Sequence, residues 1–203
     1  MDKKSVIILG KGVTWDQCPF DEEVWTVNDA FLTFDLPRLD KLFFFDKHFI
    51  GAWFYPADGF GKERVVDMEY TDNRGIKKEG KMVQMTPELL NDLSKKYNCK
   101  VVSFWDFGFN NYEMFPLWKI IKETNSEYFI NSIAHMIAYA VYLGYEQIKL
   151  YGVDFATEHE VHGGEKGGVE YWIGYARGRG IDVIKSKGAL IEERNLYGLN
   201  NLK

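Results

Sequence analysis

The sequence predicts an α/β protein of Rossmann-like fold, with a mostly parallel sheet and helices on both of its faces. Short apolar runs rich in β-branched and aromatic residues alternate with segments of helical spacing, as in strands joined by crossover helices. Several of these runs end in glycine or polar side chains, which is typical of strands that reach a ligand site. We therefore expect a single domain over residues 1–203, with an irregular insertion or hairpin over residues 51–84.

Three strands are predicted near the start of the chain. Ser5–Leu9 is a β-branched run typical of a strand buried on both faces. Val24–Val27 and Lys41–Phe45 are the next two strands. Each strand is followed directly by residues suited to a ligand, which are Gly10, Asn28-Asp29 and Asp46-Lys47-His48.

The segment from Gly51 to Gln84 has no clear hydrophobic period. Its glycines lie among mixed charges, and Asp72-Asn73-Arg74-Gly75 is a candidate hairpin turn. A helix then begins with Thr86 as N-cap and Pro87 at the first helical position. Three further elements are predicted in order: a strand over 101–104, a loop over 107–112 and a short helix over 114–122.

The segment from Ile130 to Phe155 is the most informative part of the sequence. Asn131 or Ser132 caps a helix whose stop signal is Leu143-Gly144. The strand Gln147–Tyr151 follows at once and leads into Gly152-Val153-Asp154-Phe155. A helix over 169–179 and a last strand over 181–184 complete the alternation, which favours a mostly parallel sheet.

Composition limits the classes of partner and compartment. The net charge of −5 argues against a surface that coats nucleic acid, because such surfaces need clustered Lys and Arg. The two cysteines form no CxxC pair and no disulfide framework, which favours a reducing compartment. The apolar run near the N-terminus is too short for a signal-peptide core or a membrane span. We expect a cytoplasmic protein, and a homo-oligomer is compatible with the sequence.

The strand ends point to one crevice, because the carboxyl ends of parallel strands meet at one edge of a sheet. In Gly10-Lys11-Gly12-Val13-Thr14 the glycines let the backbone approach a phosphate closely. Lys11 and the Thr14 hydroxyl can donate hydrogen bonds to its oxygens. The loop is neither a full dinucleotide fingerprint nor a Walker A loop. The alternative is that the glycines only form a tight turn.

Two other strand ends carry candidate ligand residues. Asn28 suits a ribose or base, with an Asx turn as the alternative. Asp154, reached through Gly152, can orient a hydroxyl, bind a divalent ion or act as a base, and its alternative is a capping role. At the N-terminus of the helix that precedes this strand, Ser132 and Asn131 can bind a phosphate or sugar oxygen, although capping alone explains them.

His159 and His162 precede a glycine-rich segment, Gly163-Gly164-Glu165-Lys166-Gly167-Gly168. A closed zinc site is disfavoured because no Cys or third His lies nearby. A general base is the better hypothesis, since histidine takes up a proton near neutral pH. The flanking glycines predict a loop that moves as a lid, and a solvated loop is the alternative. His135 is expected to be a partly buried packing residue.

Two blocks resemble a known group of proteins. The run Val6 to Thr14 with Asn28, and the run Ile130 to Phe155, resemble the bacterial sialyltransferases of the Campylobacter type and the related DUF115 and MptE-like proteins. The resemblance implies a Rossmann-like transferase domain that holds a nucleotide with five residues, Gly10, Gly12, Thr14, Asn28 and Ser132. It also implies a histidine base, for which His162 or His159 is the counterpart.

The sequence departs from that group at several positions. Lys11 stands where the sialyltransferases have Asn, Val13-Thr14 replaces Pro-Ser, and Ile133 replaces a Gly. A lysine in the first loop favours a more highly charged phosphate group than the single phosphate of CMP-sialic acid.

Three functions remain open at this point. The first is a transferase that passes a sugar from a nucleotide-sugar to a hydroxyl acceptor, with acceptor choice in residues 51–84. The second is an ATP-dependent pyrophosphokinase of MptE-like type, with Asp154 and Asp46 holding Mg²⁺. The third is a nucleotide-binding protein without catalysis.

Overall fold

The structure is a computed structural model that describes residues 3–54, 59–61, 64–71, 75–155, 160–189 and 191. Its strands, in chain order, are β1 (Ser5–Leu9), β2 (Glu23–Val27), β3 (Lys41–Phe43), β4 (Trp53–Phe54), β5 (Val66–Thr71), β6 (Lys77–Gln84), β7 (Lys100–Ser103), β8 (Tyr112–Met114), β9 (Gln147–Tyr151) and β10 (Asp182–Lys185). Its α-helices are α1 (Ala30–Thr33), α2 (Pro87–Tyr97), α3 (Leu117–Thr124), α4 (Ser132–Tyr142) and α5 (Glu160–Gly178).

The main sheet has seven strands in the order β10-β9-β1-β2-β3-β7-β8, and every neighbouring pair is parallel. From β1 the chain builds one side of the sheet through β2, β3, β7 and β8. It then returns to the other side of β1 to add β9 and β10. The prediction of a mostly parallel α/β sheet is confirmed, and the point of reversal lies between β1 and β9.

Two hydrophobic cores cover the two faces of this sheet. Along β1, Val6 and Ile8 pack into the core that contains α4 and α5, while Ile7 and Leu9 pack into the core that contains α1 and α2. Alternate strand residues point to opposite faces, so a continuous apolar run is needed when both faces are buried. Helices lie on both faces, as predicted.

The helix starts follow ordinary capping chemistry. The Thr86 hydroxyl accepts a hydrogen bond from the backbone N–H of Leu89 at 3.2 Å, with Pro87 at the first helical position. Asn131 rather than Ser132 is the N-cap of α4, because its side chain accepts from the N–H of Ala134. Among the described residues, no helix is both long and apolar enough to cross a membrane.

The segment over 51–84 contains a small antiparallel sheet in the order β4-β6-β5. Strands β5 and β6 pair as a hairpin that ends at the pair Thr71 and Lys77. Residues 72–74 of the predicted turn lie outside the described residues. Val83 and Met85 pack into the core beside α2, so this sheet adds to the face that α1 and α2 cover.

Two predicted boundaries are wrong. Helix α5 begins at Glu160 instead of 169 and runs through the glycine-rich segment that was predicted as a loop. Residues 112–114 form β8, an edge strand, where a loop and the start of a helix were predicted, and α3 begins only at Leu117. Both elements are stabilised by contacts with distant parts of the chain, and the local sequence does not predict such contacts.

Candidate functional site

The loops after β1 and β9 meet at the point where the strand order reverses. The N–H of Gly10 donates to the carbonyl of Tyr151 at 2.8 Å, and the N–H of Gly12 donates to the carbonyl of Gly152 at 2.7 Å. In open α/β sheets, ligands bind at such a reversal, beyond the carboxyl ends of the strands. The predicted Gly-x-Gly loop and the predicted Gly152 tip therefore form one edge of the same crevice.

Close backbone contact explains the glycines in these loops. A Cβ atom on Gly10 would lie 2.3 Å from the carbonyl oxygen of Gly152, and one on Gly152 would lie 2.5 Å from the carbonyl oxygen of Gly10. A Cβ on Gly12 would lie 2.4 Å from Oδ2 of Asp154. The two glycines of the first loop hence serve the packing of one loop on the other. Their own N–H groups are used in that packing.

The Thr14 hydroxyl is fully engaged inside the protein. It donates to Oδ1 of Asp154, and it lies 2.6 Å from the Ser186 hydroxyl and 3.1 Å from the N–H of Gly152, both of which therefore donate to it. One donated and two accepted hydrogen bonds exhaust the capacity of a hydroxyl. The expectation that the Thr14 hydroxyl donates to a ligand phosphate is wrong for this reason.

Asp154 anchors the first loop. Its side chain is buried, Oδ2 accepts from the backbone N–H of Thr14 at 2.7 Å, and Oδ1 accepts from the Thr14 hydroxyl. This geometry disfavours the expectation of a base or an Mg²⁺ ligand at Asp154, because the residue is only 3% exposed and each carboxylate oxygen already accepts a hydrogen bond from Thr14. Among the described residues, no group of three or more His, Cys, Asp or Glu side chains could hold a metal ion.

The donors that remain open in the first loop belong to Lys11 and Val13. Within the described part of the chain, no group accepts a hydrogen bond from the backbone N–H of either residue. The Lys11 ammonium lies 2.8 and 3.1 Å from the two carboxylate oxygens of Asp29, which follows β2. The Lys11 side chain is 45% exposed and that of Asp29 only 16%. A cationic group is therefore held beside two free N–H groups at the crevice.

The ends of β2 and β3 are joined by Asn28. Its backbone is in the left-handed region, with φ of +42°, and its Oδ1 accepts from the N–H of Phe45 at 3.3 Å. No described residue accepts from its Nδ2. Asp46 forms a local turn instead, since its Oδ1 accepts from the N–H of His48 at 3.3 Å. The Asx turn considered for Asn28 is thus found at Asp46.

The N-terminus of α4 lies beside the end of β3. Ser132 is the first residue of the helix, and none of the described residues bonds its hydroxyl. The rings of His135 and Phe45 are 4.9 Å apart, which brings the first turn of α4 against the strand end that follows Asn28. The N–H groups of a first helical turn have no partner within the helix. This end of α4 therefore presents further donors to the crevice.

Solved structures share this fold. A complex of the sialyltransferase CstII from Campylobacter jejuni with CMP superposes with a TM-score of 0.54 and 15% identity, over 92% of this chain and 81% of that one. A complex of CST-II with a trisaccharide acceptor and CMP gives a TM-score of 0.56 at 14% identity, over 93% and 84%. A point mutant described as an α-2,3/8-sialyltransferase CstII gives 0.57 at 16%, over 93% and 85%.

The chain has the sialyltransferase fold. At these identities the likeness concerns the fold alone. No protein-family model matches the sequence, and no curated protein matches it at a significant level.

Of the two histidines predicted as candidate bases, one lies on α5. His159 is outside the described residues, and the backbone of His162 is in the first turn of the helix. The prediction of a mobile glycine lid at 163–168 is wrong, because these residues are helical. A Cβ on Gly168 would lie 2.3 Å from Cγ1 of Ile130. Glycine therefore lets the helix approach the segment before α4, and this packing offsets the low helix propensity of glycine.

His135 is a packing residue, as predicted. Its ring is surrounded by those of Phe45, Phe104, Phe115 and Phe129, with centroids 4.8 to 5.5 Å away. Burial lowers the pKa of His135 to about 4, and the hydrogen bond between its Nδ1 and the carbonyl of Asn131 opposes that shift. The imidazole is neutral at pH 7, and Nδ1 carries the proton because a carbonyl only accepts.

Sequence reasoning missed one residue of this site. Ser186 directly follows β10 and donates to Thr14. It could have been found by the rule already applied to other strands, that polar residues at strand ends face the crevice. Asp29 was predicted as part of the polar end of β2, but its ion pair with Lys11 was not. The fold brings together the ends of β1, β2, β3 and β9 and the first turn of α4.

Proposed function

We propose that this chain is a glycosyltransferase-like enzyme that binds a nucleotide-sugar at the crevice and passes the sugar to a hydroxyl acceptor. The observation that carries the proposal is the set of open donors at the strand reversal. Among the residues that the structure describes, the N–H groups of Lys11 and Val13 have no acceptor and the Lys11 ammonium has only Asp29, while the rest of the loop is fixed. Such an arrangement suits a phosphate.

These donors would act on the leaving group. As the bond between the anomeric carbon and the phosphate oxygen breaks, its electron pair stays on that oxygen as negative charge. Preorganised N–H groups and a cation stabilise developing charge more than they stabilise the ground state. Because Asp154 and the loop glycines fix the first loop, its free N–H groups need no rearrangement during the reaction.

A base is needed on the acceptor side. A hydroxyl oxygen attacks the anomeric carbon, and its proton passes to the base as the new glycosidic bond forms. We assign this role to His162, with His159 as the alternative. Helix α5 begins at Glu160, and Asn131 binds its first turns to the N-terminus of α4, beside Ser132. The assignment is supported by this contact between α5 and the crevice edge.

The donor is expected to carry more charge than a nucleoside monophosphate. The structures that share the fold include complexes named for CMP and for a trisaccharide acceptor with CMP. Here Lys11 adds a positive charge to the first loop, and it is 45% exposed and able to meet a ligand. A lysine favours a group of higher negative charge. We expect a nucleoside diphosphate sugar to bind more tightly than CMP-sialic acid.

A binding and turnover experiment tests this proposal. The chain is screened by thermal shift against CMP, UDP, GDP, ADP, ATP with Mg²⁺ and the corresponding nucleotide-sugars, since a ligand that binds only the native state raises Tm. Bound species are then incubated with hydroxyl acceptors and identified by mass spectrometry. Release of nucleotide with a sugar-bearing product supports the proposal. Nucleotide-sugar recovered intact would indicate a binding protein, and Mg²⁺-dependent loss of ATP a phosphoryl transferase.

Two variants test the base. His162→Ala is expected to lower the transfer rate at least 100-fold with nucleotide affinity unchanged, because the base acts on the acceptor and not on the donor. His159→Ala tests the alternative base, and a loss of transfer in this variant alone would assign the role to His159. Unchanged transfer in both variants would exclude a histidine base from this segment.

A further inference from the structure

One side chain links the two helices that border the crevice. Oδ1 of Asn131 accepts from the N–H of Ala134 at 2.8 Å and so caps α4. Nδ2 of the same side chain donates to the carbonyl of Glu165 in α5 at 3.1 Å. Because the amide group is planar and uses both ends, these two hydrogen bonds fix the second turn of α5 relative to the first turn of α4.

The contact lies close to the residue proposed as the base. His162 and Glu165 are three residues apart on α5, so they occupy neighbouring positions on one side of the helix, about 4.5 Å apart along its axis. Ser132 is next to Asn131 in the chain. The side chain of Asn131 therefore joins the second turn of α5, one turn after the backbone of His162, to the N-terminus of α4.

Other contacts hold α5 farther along its length. Gly168 packs on Ile130, as described, and the indole Nε1 of Trp172 donates to the carbonyl of Tyr128 at 2.8 Å. These contacts keep the middle of α5 against the segment before α4. They lie beyond Glu165 on the side away from His162, and the hydrogen bond from Asn131 is made nearer to the start of the helix.

We propose that Asn131 is a positioning residue for the transfer reaction, which holds the first turns of α5, and with them His162, over the N-terminus of α4. The inference rests on the proposed function. Because Asn131 acts through the base and not on the donor, its loss lowers kcat and leaves donor KM unchanged.

The variant Asn131→Asp separates the two hydrogen bonds. Aspartate is a good N-cap and keeps the acceptor for Ala134, but it places an oxygen against the carbonyl of Glu165. We expect kcat to fall tenfold or more, with donor KM and nucleotide Kd within twofold. The pH profile of the remaining activity should keep its acid limb, since the base is displaced and still titrates. His162→Ala removes that limb.

The control is Thr86→Ala, which removes the N-cap of α2, a helix that packs in the core on the opposite face of the sheet from α5. We expect this variant to lose stability and keep its kcat at a temperature well below its Tm. A wild-type kcat in Asn131→Asp would overturn the positioning role alone. An equal loss of kcat in Thr86→Ala would also overturn it, since any lost cap would then have the same effect. Absence of transfer by the unmodified chain would instead refute the proposed function.

Discussion

Asp154 accepts hydrogen bonds from both the backbone N–H and the hydroxyl of Thr14, and so joins the loop after β9 to the loop after β1. Both residues are buried. The contact spans 140 positions in the sequence. The sequence predicted that Thr14 binds a ligand phosphate and that Asp154 orients a hydroxyl, binds a divalent ion or acts as a base. In the structure, both residues support the first loop. Among the described residues, the donors that stay open in the first loop are those of Lys11 and Val13.

We expect Thr14→Val to destabilise the protein by about 2–4 kcal/mol. Valine has nearly the shape of threonine but leaves Oδ1 of Asp154, the Ser186 hydroxyl and the Gly152 N–H without their partner, and buried polar groups without partners are costly. Thr14→Ser keeps the hydroxyl and should cost less than about 1.5 kcal/mol. Equilibrium urea unfolding measures both. Equal losses in the two variants would mean that the hydrogen bonds contribute little.

We expect Gly10→Ala to destabilise the protein by more than about 2 kcal/mol, because the added Cβ would lie 2.3 Å from a backbone carbonyl oxygen. Gly174→Ala is the control. Gly174 lies inside α5 with nothing within 4 Å of its Cβ position, so the substitution should stabilise by about 0.5–1 kcal/mol. The shift of Tm distinguishes the two. A neutral Gly10→Ala would show that the loops can separate.

We expect Lys11→Met to raise nucleotide Kd about tenfold, since a charge-assisted hydrogen bond to phosphate contributes about 1.5 kcal/mol or more. The effect should shrink at high salt, which screens exposed charges. Lys122→Met, an exposed lysine of α3, should leave Kd unchanged. Calorimetric titration at two salt concentrations tests this. A similar Kd for both variants would place the phosphate away from the first loop.

We expect the free energy of unfolding to decrease as the pH is lowered from about 6.5 to about 4, because His135 is protonated only in the unfolded chain in this range. Burial lowers the folded-state pKa of His135 to about 4 from its ordinary value of 6.5, so in this window the unfolded chain binds a proton that the native protein does not. The full loss is on the order of 3 kcal/mol below pH 4. His135→Phe keeps a ring in the cluster and should remove this component. Parallel stability curves for the two proteins would contradict the assignment.

The strand positions were predictable because the signal for a buried parallel strand is local. Ser5–Leu9 and Gln147–Tyr151 are apolar or alternating runs with a glycine after them, and they form β1 and β9 as predicted. Parallel pairing then brings their carboxyl ends together without further information. This is why the crevice itself could be predicted from the sequence.

The misplaced elements depend on distant partners. Strand β8 is an edge strand that pairs with β7, and its Glu113 lies 3.0 Å from the Lys41 ammonium and 2.8 Å from that of Lys100. Helix α5 extends through its glycines because Gly168 fits against Ile130. The Thr14 hydroxyl was predicted to bind a ligand, but in the structure it bonds to Asp154 and Ser186. These partners lie far away in the sequence and could not be predicted. No local sequence pattern predicts these contacts.

The reciprocal contact between Gly10 and Gly152 restricts which second substitutions can rescue a first. A side chain added to either residue meets the backbone carbonyl of the other, at 2.3 and 2.5 Å, and not a side chain that a further change could shorten. The residue that faces each glycine is itself glycine, so it has no side chain that a second substitution could shorten. Suppressors of Gly10→Ala are therefore expected only where they shift the backbone of one loop, and none is expected at Gly152.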